Sequence, residues 1–193
     1  IFAAGLGTRL KPLTDTMPKA MVPICGKPLI QILIEKLKNV GVNEIVINVH
    51  HFAQQIIDFV ELNDGFGVNI KFSDETNLLL ETGGGLKQAA TLFSHDAPIL
   101  VHNVDILSNA DILSLYNGAS STVLLVSQRD TQRYLLFDST SRLVGWTNIA
   151  TGEIKSPYPE IKALEVDYQL SVINSHFQKF AYSGIQVFHP SLL

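Results

Sequence analysis

Apolar residues fall along this chain in two alternating rhythms. Ile45 to Val49, Val68 to Phe72, Ile99 to Val101 and Thr122 to Val126 are short, rich in β-branched residues and nearly continuous in apolarity. That is the pattern of strands covered on both faces. Between them the spacing lengthens to a helical period. Leu29, Ile32, Leu33, Leu37 and Val40 mark one helix face, Ile56, Ile57 and Val60 a second, and Leu86, Ala89, Ala90 and Phe93 a third. Gly41 follows the first of these, where a helix-ending glycine belongs. The alternation predicts βαβ units and an α/β fold: a Rossmann-like mixed, mainly parallel sheet flanked by helices.

After about residue 127 the rhythm changes. Tyr134 to Phe137, Leu143 to Trp146 and Tyr182 to Phe188 read as strands, separated by turn signals at Asp138 to Ser141 and at Thr151-Gly152. A smaller antiparallel part is therefore expected over 128–193, following a larger part over 1–127 within a single domain. Residues 153–180 resist assignment, with a break at Ser156-Pro157-Tyr158-Pro159 and Leu164 to Phe177 ambiguous between helix and loop.

The 193 residues are 46% hydrophobic and 17% charged with mean hydropathy +0.21, which excludes a disordered chain and gives enough length for a sizeable core. No apolar run approaches the roughly 18 residues of a membrane span, and no basic leader precedes a short apolar stretch. The expectation is a soluble, cytoplasmic chain with no membrane partner. A lone cysteine, Cys25, can make no intramolecular disulfide and is expected to serve packing. Ile1 to Ala4 reads as the second half of a buried strand, so residues upstream are expected, and a cut after Leu193 as well.

Charge sharpens the picture. The first forty residues hold Arg9, Lys11, Lys19, Lys27, Lys36 and Lys38 against only Asp15 and Glu35, whereas the whole chain carries −4. One basic segment on an acidic protein argues against a nucleic-acid partner, which needs a broad cationic face, and for a local site binding a small anion. Within that segment Ala3-Ala4-Gly5-Leu6-Gly7-Thr8-Arg9-Leu10-Lys11-Pro12-Leu13-Thr14 follows a strand directly, at the strand's carboxyl end, where open α/β sheets place ligands. Its two glycines allow close backbone approach, and Thr8, Arg9 and Lys19 add a hydroxyl and two cations. Such a loop suits a triphosphate. It is not a Rossmann fingerprint, because Leu10 stands where the third glycine is required and Pro12 and Pro18 interrupt the helix. It is not a Walker A loop either, because the Gly-Lys-Ser/Thr ending is absent.

Gly5-Leu6-Gly7-Thr8-Arg9-Leu10, Pro12-Leu13-Thr14, Pro18-Lys19 and Pro23 together resemble the signature of the sugar-1-phosphate nucleotidyltransferases, or NDP-sugar pyrophosphorylases. Phe66 to Glu75, Leu80-Glu81-Thr82-Gly83-Gly84-Gly85, Tyr182-Ser183-Gly184-Ile185 and His189-Pro190 look most like a short bacterial branch. That branch contains N-acetylmuramate-1-phosphate uridylyltransferases and mannose-1-phosphate guanylyltransferase-like proteins. The resemblance covers residues 1–126 well, 181–193 fairly and the middle poorly. It implies the nucleotide-diphospho-sugar transferase fold, Mg²⁺ as cofactor, and an NTP (UTP or GTP favoured) with a sugar-1-phosphate as partners. The sugar-phosphate oxygen would attack the α-phosphorus in line and pyrophosphate would leave. The expected catalytic residues are Arg9, at the β- and γ-phosphates, and Lys19, bridging the two substrates. Ala3, Ala4, Gly5, Gly7, Thr8, Glu81, Gly83 and Gly84 are expected around the nucleotide, with Glu81 to Gly85 as a loop beside the base. Asn103 and Gly184 are expected at the sugar phosphate, and Asp105 at the metal.

Two departures from the family pattern stand out. Val104 precedes Asp105 where relatives carry glycine, which would put a side chain at a point of close approach, and the second metal carboxylate would follow Leu193. Lys155 is only a weak counterpart of the lysine that grips the sugar phosphate. Two alternatives follow: a nucleotide-sugar-binding homologue without catalysis, and a cytidylyltransferase acting on a non-sugar phosphate. Asp105 could instead cap a helix. His50, His51 and His102 crowd one sheet edge but, with adjacent histidines facing opposite ways, are expected to be structural or substrate-lining rather than a zinc site. Trp146 and Tyr134 are expected in the core or beside the sugar. Oligomeric state is not legible.

Overall fold

A computed structural model describes residues 1–119, 122–162 and 177–193. Two compact units are present: 1–123 with 184–193, and 124–183. The C-terminal stretch from Gly184 thus belongs with the first unit, whereas the sequence groups it with 128–183.

In the first unit, the signature loop leads into a two-residue hairpin, β1 (Pro23–Ile24) and β2 (Lys27–Pro28). Cys25 and Gly26 at its tip both have positive φ, 49° and 82°, as tight hairpin turns require. Cys25 is exposed there, which corrects its expected packing role: a turn tip has no core to fill. Helix α1 (Leu29–Asn39) follows and buries Leu29, Ile30, Leu33, Ile34 and Leu37, each contributing about 2 kcal/mol of transfer free energy. It ends in a Schellman motif. Gly41 N–H donates to Lys38 O at 2.9 Å and Val42 N–H to Leu37 O at 3.1 Å, with Gly41 at φ 93°.

Strand β3 (Glu44–Val49), helix α2 (Ala53–Leu62) and strand β4 (Asn69–Asp74) form the predicted βαβ unit, with β3 and β4 parallel and in register from Glu44/Asn69 to Val49/Asp74. Helix α3 (Glu81–Ala89) leads to β5 (Ile99–His102), and α4 (Ile112–Asn117) follows. Phe2 bridges in parallel to both Asn48 and Asn103, and its N–H donates to His102 O at 2.9 Å. The end of β10 (Gln178–Phe188) pairs antiparallel with β5, Ile185 opposite His102. Across the unit the order is therefore β4, β3, the Phe2 strand, β5, β10. The chain winds outward from Phe2 to β3 and β4, then returns to the other side of Phe2 as β5. The boundary between Phe2 and β5 is the topological switch point, where doubly wound sheets bind ligands.

The second unit follows β6 (Val123–Ser127) and holds β7 (Arg133–Phe137), β8 (Leu143–Asn148) and β9 (Glu153–Lys155) as an antiparallel meander, with the start of β10 on the free edge of β7. Asp138 Oδ1 accepts from the Thr140 and Arg142 N–H groups at 2.8 and 3.0 Å and so builds the predicted turn. Leu136, Val144 and Ile161, the last on α5 (Pro159–Lys162), make its core with Ile154, Tyr158 and Phe177. Lys155 sits over the Trp146 ring at 5.1 Å and pairs with Glu153 at 3.3 Å, so both are engaged within this unit; Lys179 lies over Tyr134 at 5.3 Å. The ambiguous stretch within 164–177 lies, up to residue 176, outside the described residues.

Candidate active site

The signature loop leaves the carboxyl end of the Phe2 strand, and Asn103 to Asp105 leave the carboxyl end of β5. These are the two strands flanking the switch point, so residues far apart in sequence emerge side by side. Lys19 Nζ and Asp105 Oδ2 are 3.0 Å apart, with side chains 18% and 25% exposed. The pair is partly shielded, yet open enough for a ligand to compete for either partner. A Cβ on Gly5 would stand 3.6 Å from Lys19 Nζ, so this glycine lies directly beside the ammonium.

Backbone conformation sets the loop. Gly7 lies at φ 66°, ψ 23°, and precedes a 3-10 turn over Thr8–Leu10; its carbonyl accepts from Leu10 N–H at 2.8 Å and from the Thr14 hydroxyl at 2.9 Å. Thr14 is buried at 3% exposure, so that hydroxyl bond ties the loop to the core. Thr8 and Arg9 stand exposed on the turn, and no carboxylate among the described residues lies within ion-pair distance of Arg9.

Asp105 is free of the helix-capping role. The cap of α4 is Asp111, which accepts from the Ser114 N–H at 2.9 Å. Val104 is 1% exposed and its N–H donates to Phe2 O at 3.0 Å, so its side chain is core and does not occupy the site. That burial corrects the expectation that it intrudes: in the turn after β5, Val104 packs inward while the next residue, Asp105, reaches Lys19. Asn103 and Gly184 are brought together: Asn103 N–H donates to Gly184 O at 2.8 Å, and at φ 76° a Cβ on Gly184 would stand 2.7 Å from Ile106 Cγ1 and 3.0 Å from Asn103 Nδ2.

Gly83, Gly84 and Gly85 lie in the opening turns of α3, not in a loop. Close approach explains two of them: a Cβ on Gly84 would meet Leu80 Cβ at 2.9 Å, and one on Gly85 would meet Glu75 Oε1 at 2.5 Å, whereas one on Gly83 would stand in open space. The role expected of the Glu81 side chain lies outside what is described. Ala3 and Ala4 are buried, and their N–H groups donate to Asn48 Oδ1 at 2.6 and 3.3 Å. Sequence reasoning singled out neither Asn48 nor the role of Glu75, whose contact is made across 27 positions.

The three histidines take separate roles. His50 Nδ1 lies 2.6 Å from Glu75 O, His51 packs its exposed ring on Phe52 at 4.0 Å, and His102 is buried with Nδ1 2.8 Å from Asn103 O. Burial holds the His102 imidazole below the ordinary histidine range, and its Nε2 has no partner among the described residues. One cavity of the first unit is a groove of about 530 Å³ between β3 and β5, lined by Leu37, Val40, Ile45, Leu86, Ile99 and Tyr116 among others. None of Gly5, Gly7, Arg9, Lys19 or Asp105 touches it, so the chemistry of the switch point lies outside this apolar groove.

A mixed α/β sheet with a glycine- and cation-bearing loop at its switch point defines a doubly wound α/β protein, a class that places ligands at that point. The sequence model of the nucleotidyl transferase family matches residues 1–134, and the chain belongs to that family. It is 44% identical over 121 residues to the N-acetylmuramate alpha-1-phosphate uridylyltransferase of Neisseria meningitidis serogroup B, covering 63% of this chain and 52% of that protein. It is 35% identical over 141 residues to a mannose-1-phosphate guanyltransferase of Gibberella zeae, covering 69% and 38%. The crystal structure of HddC from Yersinia pseudotuberculosis, complexed with GMP-PN, superposes with a TM-score of 0.70 at 24% identity, covering 99% of this chain and 76% of that one, a likeness of fold. The chain spans about half the length of the first curated relative and less of the other. Among the described residues no helix is long and apolar enough to cross a membrane.

Proposed function

We propose that this chain carries the nucleotide site of an enzyme that joins an NTP to a sugar-1-phosphate, forming an NDP-sugar and pyrophosphate. The observation that carries the reading is the Lys19–Asp105 pair at 3.0 Å beside Gly5, at the switch point. A phosphate oxygen of the acceptor forms a bond to the α-phosphorus while the bond to the β-phosphate oxygen breaks, so charge accumulates on the leaving pyrophosphate. Two anions must be held together during this step, and a fixed cation between them lowers their repulsion. Lys19 suits that place. Arg9, exposed and without a carboxylate partner, is available to the β- and γ-phosphates. The N–H groups of Gly5 to Thr8 are donors for phosphate oxygens, and Asn103 with Gly184 borders the acceptor phosphate.

Mg²⁺ fits this donor set as an ion shared with substrate. Asp105 offers one hard carboxylate oxygen donor, and Mg²⁺ is commonly held by one or two carboxylates with its other ligands from substrate phosphates and water. When bound, it would neutralise charge on the phosphates. UTP and GTP are the favoured donors, because the similar proteins are named as uridylyl- and guanylyltransferases, and their acceptors, N-acetylmuramate 1-phosphate and mannose 1-phosphate, are the first to try. We place the reaction in the cytoplasm, with no nucleic acid or membrane as partner. The binding-only alternative loses one of its two motives, because Val104 is buried.

The test is thermal stabilisation by each NTP and each NDP-sugar, with and without Mg²⁺. One NTP that stabilises in a Mg²⁺-dependent way is expected, by about 2.7 kcal/mol at a hundredfold excess over Kd. Stabilisation by NDP-sugars alone, indifferent to Mg²⁺, would favour a binding protein.

A further inference from the structure

We propose that Asn48 and Glu75 form a buried relay that positions the bound nucleotide by locking two separate backbone segments to each other. The inference rests on the nucleotidyl-transfer reading and assigns this part of the molecule a task within it. Asn48 lies near the end of β3 and Glu75 just beyond β4, at 5% and 2% exposure. The Ala3 and Ala4 N–H groups donate to Asn48 Oδ1 at 2.6 and 3.3 Å. Asn48 Nδ2 donates to Glu75 Oε1 at 2.8 Å, and Leu80 N–H donates to Glu75 Oε2 at 3.1 Å. One unbroken chain of hydrogen bonds thus runs from the entry of the signature loop to the residue that opens α3.

Each bond dictates the next. The Ala3 and Ala4 donors fix which end of the Asn48 amide is oxygen, so the NH₂ must face Glu75. The glutamate then has its other oxygen left for Leu80. Glu75 is itself anchored, its N–H donating to Val49 O at 2.8 Å and its carbonyl lying 2.6 Å from His50 Nδ1. Burying a carboxyl and an amide is costly unless their geometry is complete, and apolar side chains would fill the space without that cost. What the polar pair adds is direction. It sets the spacing between Ala3–Gly5, where the signature loop begins, and Glu81–Gly84, where α3 begins, both of which are expected around the nucleotide. Gly85 belongs to the same device, because a Cβ there would stand 2.5 Å from Glu75 Oε1 and 3.2 Å from Asn48 Nδ2. A relay of this kind acts on the nucleotide and leaves the acceptor phosphate site alone.

Exchanging the two groups tests this. Asn48→Asp alone sets two carboxyl oxygens against each other. Glu75→Gln alone sets an NH₂ against either Asn48 Nδ2 or Leu80 N–H. In the double variant Asn48→Asp/Glu75→Gln, the new carboxylate at position 48 accepts from Ala3, Ala4 and the new amide at position 75, whose oxygen accepts from Leu80. Every bond is restored with the donor direction reversed at one link. The readouts are KM for NTP, KM for the sugar-1-phosphate and Kd for NTP by calorimetry. Each single variant is expected to raise NTP KM and Kd about tenfold and leave the acceptor KM within about twofold, and the double to return to within about threefold of wild type. The relay is overturned if the singles bind NTP normally, if both KM values rise together, or if the double is no better than the product of the singles. Should the singles not fold, a double that folds and binds NTP supports the relay, and one that misfolds or folds without binding NTP rejects it. A wild-type chain that binds no NTP rejects the nucleotidyl-transfer reading itself, and the relay with it.

Discussion

Lys19→Ala is expected to lower kcat/KM for nucleotidyl transfer by about 10²–10³-fold while leaving the chain folded. The rate loss follows from its position. Among the described residues Lys19 is the ammonium paired with Asp105, beside the signature loop, and the proposed reaction brings both substrate anions to that place. Without it, the two anions repel each other with no fixed charge between them and the leaving group loses a stabilising cation. Folding should suffer little, because the partly exposed pair with Asp105 is worth about 1 kcal/mol or less once solvent screening is counted. Steady-state kinetics beside a denaturation curve separates the two effects. A kcat/KM within twofold of wild type would remove Lys19 from the mechanism; equal losses of stability and rate would make it structural.

Gly7→Ala is expected to damage both stability and binding. At φ 66° an L-residue costs about 1–2 kcal/mol, and the added methyl would stand 2.9 Å from Thr14 Cγ2 and 3.1 Å from Lys19 Cβ. Thr14 cannot move freely, since it is buried and its hydroxyl donates to Gly7 O. The strain must therefore be relieved at Lys19, whose stem is the other contact. A loss of about 2 kcal/mol or more in urea unfolding is predicted, with NTP affinity reduced beyond what the loss of folded protein explains. Unchanged stability would mean that the loop is not held in the left-handed conformation.

Much of this was written in short-range pattern. Strand runs of β-branched residues and the face from Leu29 to Leu37 gave β3, β4, β5 and α1, because burial of a strand or helix face repeats every two or three to four residues. The glycine loop, Lys19 and Asp105 were legible because a signature spells them out, although their meeting depends on the switch point between the Phe2 strand and β5. The misread elements were decided by distant partners. Gly83 to Gly85 look like a loop, since each glycine costs a helix up to about 1 kcal/mol, yet all three lie in α3, and at Gly84 and Gly85 the neighbours Leu80 and Glu75 leave no room for a Cβ. The Asn48–Glu75 bond joins two ordinary polar residues 27 positions apart, and no periodicity marks it. Val104 looked like an obstruction because the family pattern has glycine there; its burial is decided by how the turn after β5 packs against the Phe2 strand, to whose carbonyl its N–H donates.

The central claim is best tested by pyrophosphate release from the chain given UTP, GTP, CTP, ATP or dTTP with a panel of sugar-1-phosphates, in Mg²⁺ and in EDTA, beside an Asp105→Asn variant. The account predicts release with one NTP and one class of sugar phosphate, lost in EDTA and reduced by about 10²-fold or more in the variant. Release that is equally fast with Asp105→Asn, or NTP turnover that needs no sugar phosphate at all, would contradict it.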